Sequence, residues 1–265
     1  MKRIVLSLAA VIAMAPLAVT TAVEDPTAKG EAVAREWDRR DRGFGDTRAV
    51  LTMILENRRG QTSERRLRID TLEVPDENDG DKSLVVFDRP RDIKGTALLS
   101  YSHILDPDDQ WLYLPALKRV KRISSRNKSG PFVGSEFAYE DIAAQDLKKY
   151  SYTWLRDEPC GALECFVLER RPLYAKSGYT RLVTWYDKAE YRMQRVDYYD
   201  RKDDLLKTLT FGDYRQYLGK YWRAHEMYMV NHQTDKKTRL VFVAFEFQTG
   251  LKERDFTRSS LKRSR

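Results

Sequence analysis

The sequence predicts a mainly β protein whose strands form one curled antiparallel sheet. Segments rich in β-branched and aromatic residues follow one another from about residue 48 to residue 247. Short polar turns separate them at regular intervals, as at residues 187–190 and 234–237. No alternation of strands with long helices is visible, so a meander closing towards a barrel is expected rather than an α/β fold.

The first element is predicted to be a helix over residues 25–40. Asp25 is a suitable N-cap, and Pro26 falls at the first helical position, where its missing N–H costs nothing. Val33 and Trp37 are four residues apart and therefore share one face. A single amphipathic helix ahead of a long sheet is expected to pack across that sheet.

Roughly twelve strands are expected after this helix. In the first half they are residues 48–58, 61–74, 82–89, 96–104, 111–115 and 118–124. A short helix is expected within residues 137–150, followed by strands at 150–156, 165–171, 180–187, 192–199, 205–214, 222–231 and 238–247. Residues 255–261 are expected to dock on the edge of the sheet.

The N-terminus has the pattern of a secretory signal peptide. Lys2 and Arg3 precede a short apolar run, and small residues end at Ala22. Residues 1–22 are therefore expected to be removed, which leaves residues 23–265 as a single domain in the periplasm. Nucleic acid is an improbable partner for an exported chain, and a monomer is expected.

Cys160 and Cys165 are predicted to form a disulfide that closes a turn between two strands. A redox-active pair is the alternative. It is less favoured because the spacing is not C-x-x-C and no thioredoxin-like pattern surrounds the two residues.

The sequence contains no recognisable catalytic or metal-binding motif. His103, His225 and His232 lack zinc-ligand spacing, and neither a nucleophile elbow nor a phosphate-binding loop is present. We therefore expect no catalytic residues, no metal and no cofactor, with the histidines in structural or surface roles.

A basic run follows the fifth strand. Lys118, Arg119, Lys121 and Arg122 alternate between the two sheet faces. They are interpreted either as an edge strand protected by charge, or as a contact for an anionic lipid headgroup or an acidic partner.

Several strands are apolar on both faces, for example residues 240–245. A one-sided antiparallel sheet would alternate more regularly. The pattern fits a thick core under the N-terminal helix, a sheet with a helix on one side and a ligand cavity on the other, or burial of one face in a partner.

Four segments carry a family resemblance. They are F-D-R-P-R-D-I-K-G-T-A-L-L at 87–99, D-x-x-W-L-Y-L-P at 108–115, K-R-V-K-R-I at 118–123 and F-V-G-S-E-F-A-Y-E-D at 132–141. Together they resemble the outer membrane lipoprotein-sorting family of the LolA-like superfamily, in the longer branch associated with RND/MMPL-type exporters.

The resemblance implies a half-open antiparallel β-barrel of LolA/LolB type, with an N-terminal helix and a short helical lid over an apolar cavity. It implies a periplasmic carrier of lipid or lipoprotein acyl chains that works without a cofactor or covalent catalysis. An inner-membrane RND/MMPL-type exporter and an outer-membrane acceptor are the implied partners.

Candidate ligand-binding residues are chosen from the apolar strands and the loop that follows them. The expected wall comprises Leu51, Met53, Leu55, Leu84, Val86, Trp111, Tyr113 and Trp185, and the expected rim or lid comprises Phe132 and Phe137. A shift of one residue in strand register would turn any of these strands to the other face.

Two other functions remain open at this point. The same fold could serve as a periplasmic adaptor that binds an exporter and never holds cargo. A lipid or cell-wall ester hydrolase would need His103 or His225 as a base close to a serine or carboxylate.

Overall fold

The computed structural model describes residues 24–76, 79–124 and 127–263. The predicted signal peptide, residues 1–22, lies outside the described residues. The first helix, α1, spans Pro26–Asp41, and the Thr27 N–H donates to the Asp25 carboxylate at 2.9 Å. The predicted cap and helix are therefore confirmed.

Thirteen strands are found in the described residues. They are β1 Asp46–Glu56, β2 Thr62–Leu72, β3 Asp79–Arg89, β4 Ala97–His103, β5 Asp109–Leu114, β6 Arg119–Ile123, β7 Tyr150–Cys160, β8 Leu163–Pro172, β9 Arg181–Asp187, β10 Met193–Tyr199, β11 Leu205–Tyr217, β12 Tyr221–Asn231 and β13 Lys237–Phe247.

All thirteen strands form one antiparallel sheet in the order β6-β5-β4-β3-β2-β1-β13-β12-β11-β10-β9-β8-β7. Each half of the chain is a simple meander, and pairing of β1 with β13 joins the two halves. β6 and β7 are the two ends of the sheet and do not pair with each other. The predicted mainly β, half-open barrel is confirmed.

Alternation along β1 defines the inner face of the sheet. Ala49, Leu51 and Met53 are buried in the main core, whereas Val50 between them is exposed. Ala49 pairs with Phe245 and Leu51 with Phe242, with a bulge in between, so β13 presents both rings to the same side.

Helix α1 packs on the inner side of the β7 end of the sheet. Val33 and Ala34 are buried in the main core, and the Trp37 ring lies 5.9 Å from that of Tyr186. Gly30 permits the close approach, because a Cβ at this position would lie 2.7 Å from the backbone nitrogen of Trp154. Glycine destabilises a helix interior by about 1 kcal/mol relative to alanine, but packing against β7 requires it at this position.

Gly30→Ala is expected to destabilise the protein, by about 1–3 kcal/mol, even though alanine favours helix formation. The added methyl group would meet backbone atoms of β7, which cannot rotate away. Urea unfolding checks this, with Glu31→Ala on the solvent side of α1 as the control. Equal or greater stability of Gly30→Ala would show that the helix does not need this close contact.

The chain crosses the inner face of the sheet between β6 and β7. This crossing segment, residues 127–149, contains the short helix α2 (Tyr139–Ile142) and single helical turns at Phe132–Gly134 and Leu147–Lys149. The Glu136 N–H donates to Thr238 Oγ1 at 3.0 Å, and Gln110 Nε2 donates to the Tyr139 carbonyl oxygen at 3.0 Å. The segment therefore spans the space that the unpaired strands leave open.

The C-terminal residues pack on the outer face of the sheet. Phe256 and Leu261 are buried against Leu84, Leu99 and Tyr113 of β3, β4 and β5, and helix α3 spans Arg258–Arg263. The expected docking on the sheet edge is therefore wrong, because the outer face of these strands is itself apolar and needs a cover.

The predicted disulfide between Cys160 and Cys165 is present at the turn from β7 to β8. Among the described residues, no helix is long and apolar enough to cross a membrane.

Candidate functional site

A cavity of about 510 Å³ lies between the inner face of the sheet, the C-terminal part of α1 and the crossing segment. Its deep wall is apolar and comes from both halves of the sheet. Ala49, Ile69 and Val85 line it from β1, β2 and β3, and Phe211, Met227, Leu240, Phe242 and Phe245 line it from β11, β12 and β13.

Aromatic rings form the most apolar part of this wall. Phe242 and Phe245 stack with ring centroids 4.8 Å apart, and Phe245 also packs edge-on against His225. Phe137 of the crossing segment and Trp37 of α1 line the cavity from the opposite side. The cavity is thus enclosed by three different parts of the chain and resembles ligand sites in size, which are about 300–1,000 Å³.

The mouth of the cavity is charged, and most of its charges are paired. Asp38 binds Arg42 at 2.5 Å, Glu190 binds Arg40 at 3.1 Å, and Asp41 binds Arg223. The Trp222 indole N–H also donates to Glu190, at 3.2 Å. An apolar interior with a polar rim suits a ligand with a long apolar tail.

Asp81 is an exception among these groups. Its carboxylate accepts a hydrogen bond from the Val74 N–H at 3.1 Å, and it has no ion pair within the described residues. Burial raises the pKa of Asp81 to about 7, and the carboxylates of Asp146 and Glu73 add to the effect while the Val74 hydrogen bond opposes it. Asp81 therefore changes charge near neutral pH at the cavity mouth.

Asp81→Asn is expected to stabilise the protein at pH 8 by about 2 kcal/mol, with allowance for partial solvent screening. A carboxyl whose pKa is higher in the folded state contributes stability at low pH. That contribution falls as the pH rises from about 4 to about 7. Urea unfolding at pH 4 and pH 8 tests this, with Asp106→Asn in an exposed turn as the control. An Asp81→Asn protein that loses stability between pH 4 and 8 as steeply as the native chain would contradict it.

Buried ion pairs fix the crossing segment to the sheet. Lys207 Nζ on β11 lies 2.5 Å from Asp141 Oδ2 and donates to the Glu136 carbonyl oxygen at 3.0 Å. Both side chains are only 4% exposed. Near β7, Lys149 Nζ lies 2.9 Å from Asp108 Oδ1. The segment is therefore anchored at two places by charges that are removed from water.

The predicted ligand-binding residues do not come together at one place. Leu51, Met53 and Leu55 are on the inner face but belong to the packed core beyond the cavity. Phe137 lines the cavity. Phe132 is fully buried between Phe87 and Tyr139.

The other predicted wall residues lie on the outer face. Leu84, Val86, Trp111 and Tyr113 pack with the C-terminal Phe256, and Trp185 belongs to a cluster with Cys165, Val167 and Val183. The structure does not bring these five side chains to the cavity. Their strands are apolar on both faces, so the sequence pattern alone does not distinguish the inner side from the outer.

The predicted basic contact is an edge strand. Arg119, Lys121 and Arg122 lie on β6, and Lys118 lies in the turn before it with a left-handed backbone. All four side chains are exposed, and Arg122 forms an ion pair with Asp109. An end strand of five residues with this charge is protected against pairing with another chain.

None of the three histidines lines the cavity. His225 is buried and bonds to the Phe242 carbonyl oxygen and the Tyr217 hydroxyl, both at 2.8 Å. His103 lies 2.6 Å from Asp79, and His232 lies 2.8 Å from Thr208. Among the described residues, no group of His, Cys, Asp and Glu side chains has metal-binding geometry.

Sequence reasoning missed all of the wall that β11, β12 and β13 provide, including Phe211, Met227 and Phe245. A signal was available in residues 240–245, which are apolar at every position. Such a run marks a strand whose inner side chains face the interior while Val243 remains exposed on the other side.

An open antiparallel sheet curled round an apolar cavity, with a helix and a crossing segment over it, defines a half-open barrel. A LolA-superfamily protein from Nitrosomonas europaea has this fold, with a TM-score of 0.70 at 18% identity over 87% of this chain and 98% of that chain.

Two other solved structures are more similar. A Vibrio parahaemolyticus domain described as an outer membrane lipoprotein-sorting protein is 56% identical, with a TM-score of 0.86 over 89% of this chain and 99% of that chain. A DUF1329 family protein from Desulfovibrio piger is 31% identical, with a TM-score of 0.84 over the same shares of the two chains.

A family model described as "Uncharacterized protein" matches residues 79–263. None of the curated proteins compared with the chain matches it. The chain belongs to the outer membrane lipoprotein-sorting family, as its sequence resemblance predicts.

Proposed function

We propose that the protein is a periplasmic carrier that holds the acyl chains of a lipid or lipoprotein and moves them between the inner and outer membranes. The observation that carries the proposal is the apolar cavity of about 510 Å³ between sheet, helix and crossing segment. The role described for the Vibrio parahaemolyticus relative supports it.

The energetics suit a carrier that must also release its cargo. Each methylene group buried from water contributes about 0.8 kcal/mol. Burying about ten of them gives about 8 kcal/mol, which corresponds to a dissociation constant near micromolar. Affinity of this order holds a chain in transit and allows its transfer to a stronger acceptor.

The cavity favours a carrier over an adaptor that never holds cargo, because an adaptor has no need of an apolar space of this size. Binding to an inner-membrane RND/MMPL-type exporter and to an outer-membrane acceptor is part of the proposal, as is a monomeric state. The reaction is binding and release, without a covalent step.

Two tryptophans provide a direct test. Trp37 and Trp222 line the cavity, whereas Trp111, Trp154 and Trp185 do not. A brominated fatty acid is expected to quench the fluorescence of the delipidated protein saturably, and the double variant Trp37→Phe/Trp222→Phe is expected to lose most of this quenching. Quenching that does not saturate, or that persists in the double variant, would refute binding in this cavity.

A further inference from the structure

One end of the sheet, opposite the cavity mouth, carries a concentration of positive charge. Three successive hairpin turns lie there, at residues 57–61, 89–95 and 115–119. Because paired strands lie about 4.8 Å apart, such turns recur about every 10 Å along the sheet. The second and third turns are in contact, since a Cβ on Gly95 would lie 3.4 Å from Pro115. We call these three turns the basic end.

The charge of the basic end is almost entirely of one sign. Its turns contain seven Lys and Arg side chains, all exposed, against a single acid, Asp92. Within the described residues, none of the seven takes part in an ion pair, in contrast to the paired charges at the cavity mouth. The seven are Arg58, Arg59, Arg89, Arg91, Lys94, Lys118 and Arg119.

The first turn also has a concave surface. A hollow of about 230 Å³ is lined by Arg58, Arg59 and Lys236, together with the amide side chains of Asn57 and Gln61. Asn57 is held in place because its Oδ1 accepts from the N–H groups of Arg59 and Gln61, at 2.9 and 3.1 Å. Three cations and two amide side chains around this open hollow are complementary in charge and hydrogen bonding to a phosphate group.

An apolar side chain stands among these cations. Leu117, at the tip of the third turn, is 63% exposed and is followed directly by Lys118 and Arg119. Exposed cations around a protruding apolar residue match the interface of a bilayer, where headgroups are anionic and acyl chains lie just beneath.

We infer that the basic end docks on the surface of an anionic phospholipid bilayer, with lipid phosphates at the turns and Leu117 at the depth of the upper acyl chains. Docking by this end leaves the cavity mouth on the opposite side of the molecule. The inference adds a membrane contact to the proposed carrier function and does not depend on the cargo.

The test is sedimentation with vesicles of neutral phosphatidylcholine, alone or mixed with anionic phosphatidylglycerol. The protein is expected to bind the anionic vesicles at low salt and to dissociate from them at about 0.5 M salt. It is not expected to bind the neutral vesicles. Each cation near an anionic surface contributes about a fivefold factor in binding. Arg58→Glu/Arg59→Glu and Lys118→Glu/Arg119→Glu are therefore each expected to weaken binding by about 25-fold or more.

Arg35→Glu/Arg39→Glu is the charge-matched control, because both arginines are exposed on α1 and away from the basic end. If the control loses as much vesicle binding as the turn variants, a localised contact is refuted. Unchanged vesicle binding in the turn variants would also refute it. Release by millimolar inorganic phosphate would assign the hollow to small anions instead, and absence of vesicle binding would leave an acidic protein as the partner. Both results would overturn bilayer docking.

A cavity variant separates this inference from the carrier proposal. Phe245→Asp alters the wall of the cavity and is expected to bind anionic vesicles like the native protein. A native protein that binds anionic vesicles but no acyl chains would refute the carrier proposal alone, and a native protein that binds acyl chains but no vesicles would refute bilayer docking alone.

Discussion

Phe245→Asp is expected to weaken acyl-chain binding by at least about 100-fold while the protein remains folded. Phe245 lines the cavity and stacks on Phe242 at 4.8 Å. A carboxylate at this position would have to lose its water to face an acyl chain, at a cost of several kcal/mol. Without a ligand the same carboxylate remains hydrated by the open cavity, so stability is expected to change less than affinity.

Val243→Asp is the matched control, because Val243 lies on the same strand and is 59% exposed. It is expected to bind acyl chains like the native protein. Affinity is measured by titration with a fluorescent fatty acid, and folding by circular dichroism. Equal affinity of the Phe245→Asp and native proteins, with both folded, would remove Phe245 from the binding wall.

Lys207→Met is expected to destabilise the protein by about 3–5 kcal/mol, which lowers the melting temperature by about 10 °C. Lys207 is the charged partner of Asp141, 2.5 Å away, and both side chains are 4% exposed. Methionine would leave Asp141 with hydrogen bonds from the Tyr179 hydroxyl and the Ala138 N–H. An uncompensated buried carboxylate is costly, and the crossing segment would lose one of its two anchors.

Lys237→Met provides the comparison, because Lys237 pairs with Glu56 at 2.8 Å on the surface, with both side chains about one third exposed. Exposed pairs contribute about 0–1 kcal/mol, so little change is expected in this control. Thermal unfolding of both variants measures the difference. Similar small losses in the two proteins would show that the buried pair does not hold the crossing segment.

The local rules of the sequence were sufficient to predict α1 and the strands. Asp25 and Pro26 mark the start of α1 by capping chemistry that needs no tertiary context. Each observed strand overlaps a predicted one, since turn residues and β-branched runs are local signals. The disulfide between Cys160 and Cys165 is similarly local, with five residues of separation.

The side of each strand that faces the cavity could not be predicted in the same way. Trp111 and Tyr113 are large and apolar, yet they lie on the outer face, where Phe256 and Leu261 from the far end of the chain cover them. This contact joins segments more than 140 residues apart, and the residues near Trp111 in the sequence give no signal that predicts it. In β1, the inner face was predicted through Leu51 and Met53, but the bulge in β13, opposite Val50 and Leu51, determines which β13 side chains face it.

The charged features of the site also depend on tertiary contacts. Lys207 and Asp141 are ordinary surface-type residues in the sequence and become a buried pair only because the crossing segment lies across β11. Asp81 belongs to an acidic turn in the sequence, and its raised pKa of about 7 results from burial at the cavity mouth.

Native mass spectrometry with lipid extraction, on protein isolated from the periplasm, tests the carrier function most directly. The proposed function predicts a stoichiometric lipid or acylated peptide bound to the native protein, and its loss from the Phe245→Asp variant but not from Val243→Asp. A native protein that carries no acyl compound and takes up no fluorescent fatty acid would contradict the proposal, and would favour an adaptor that binds the exporter alone.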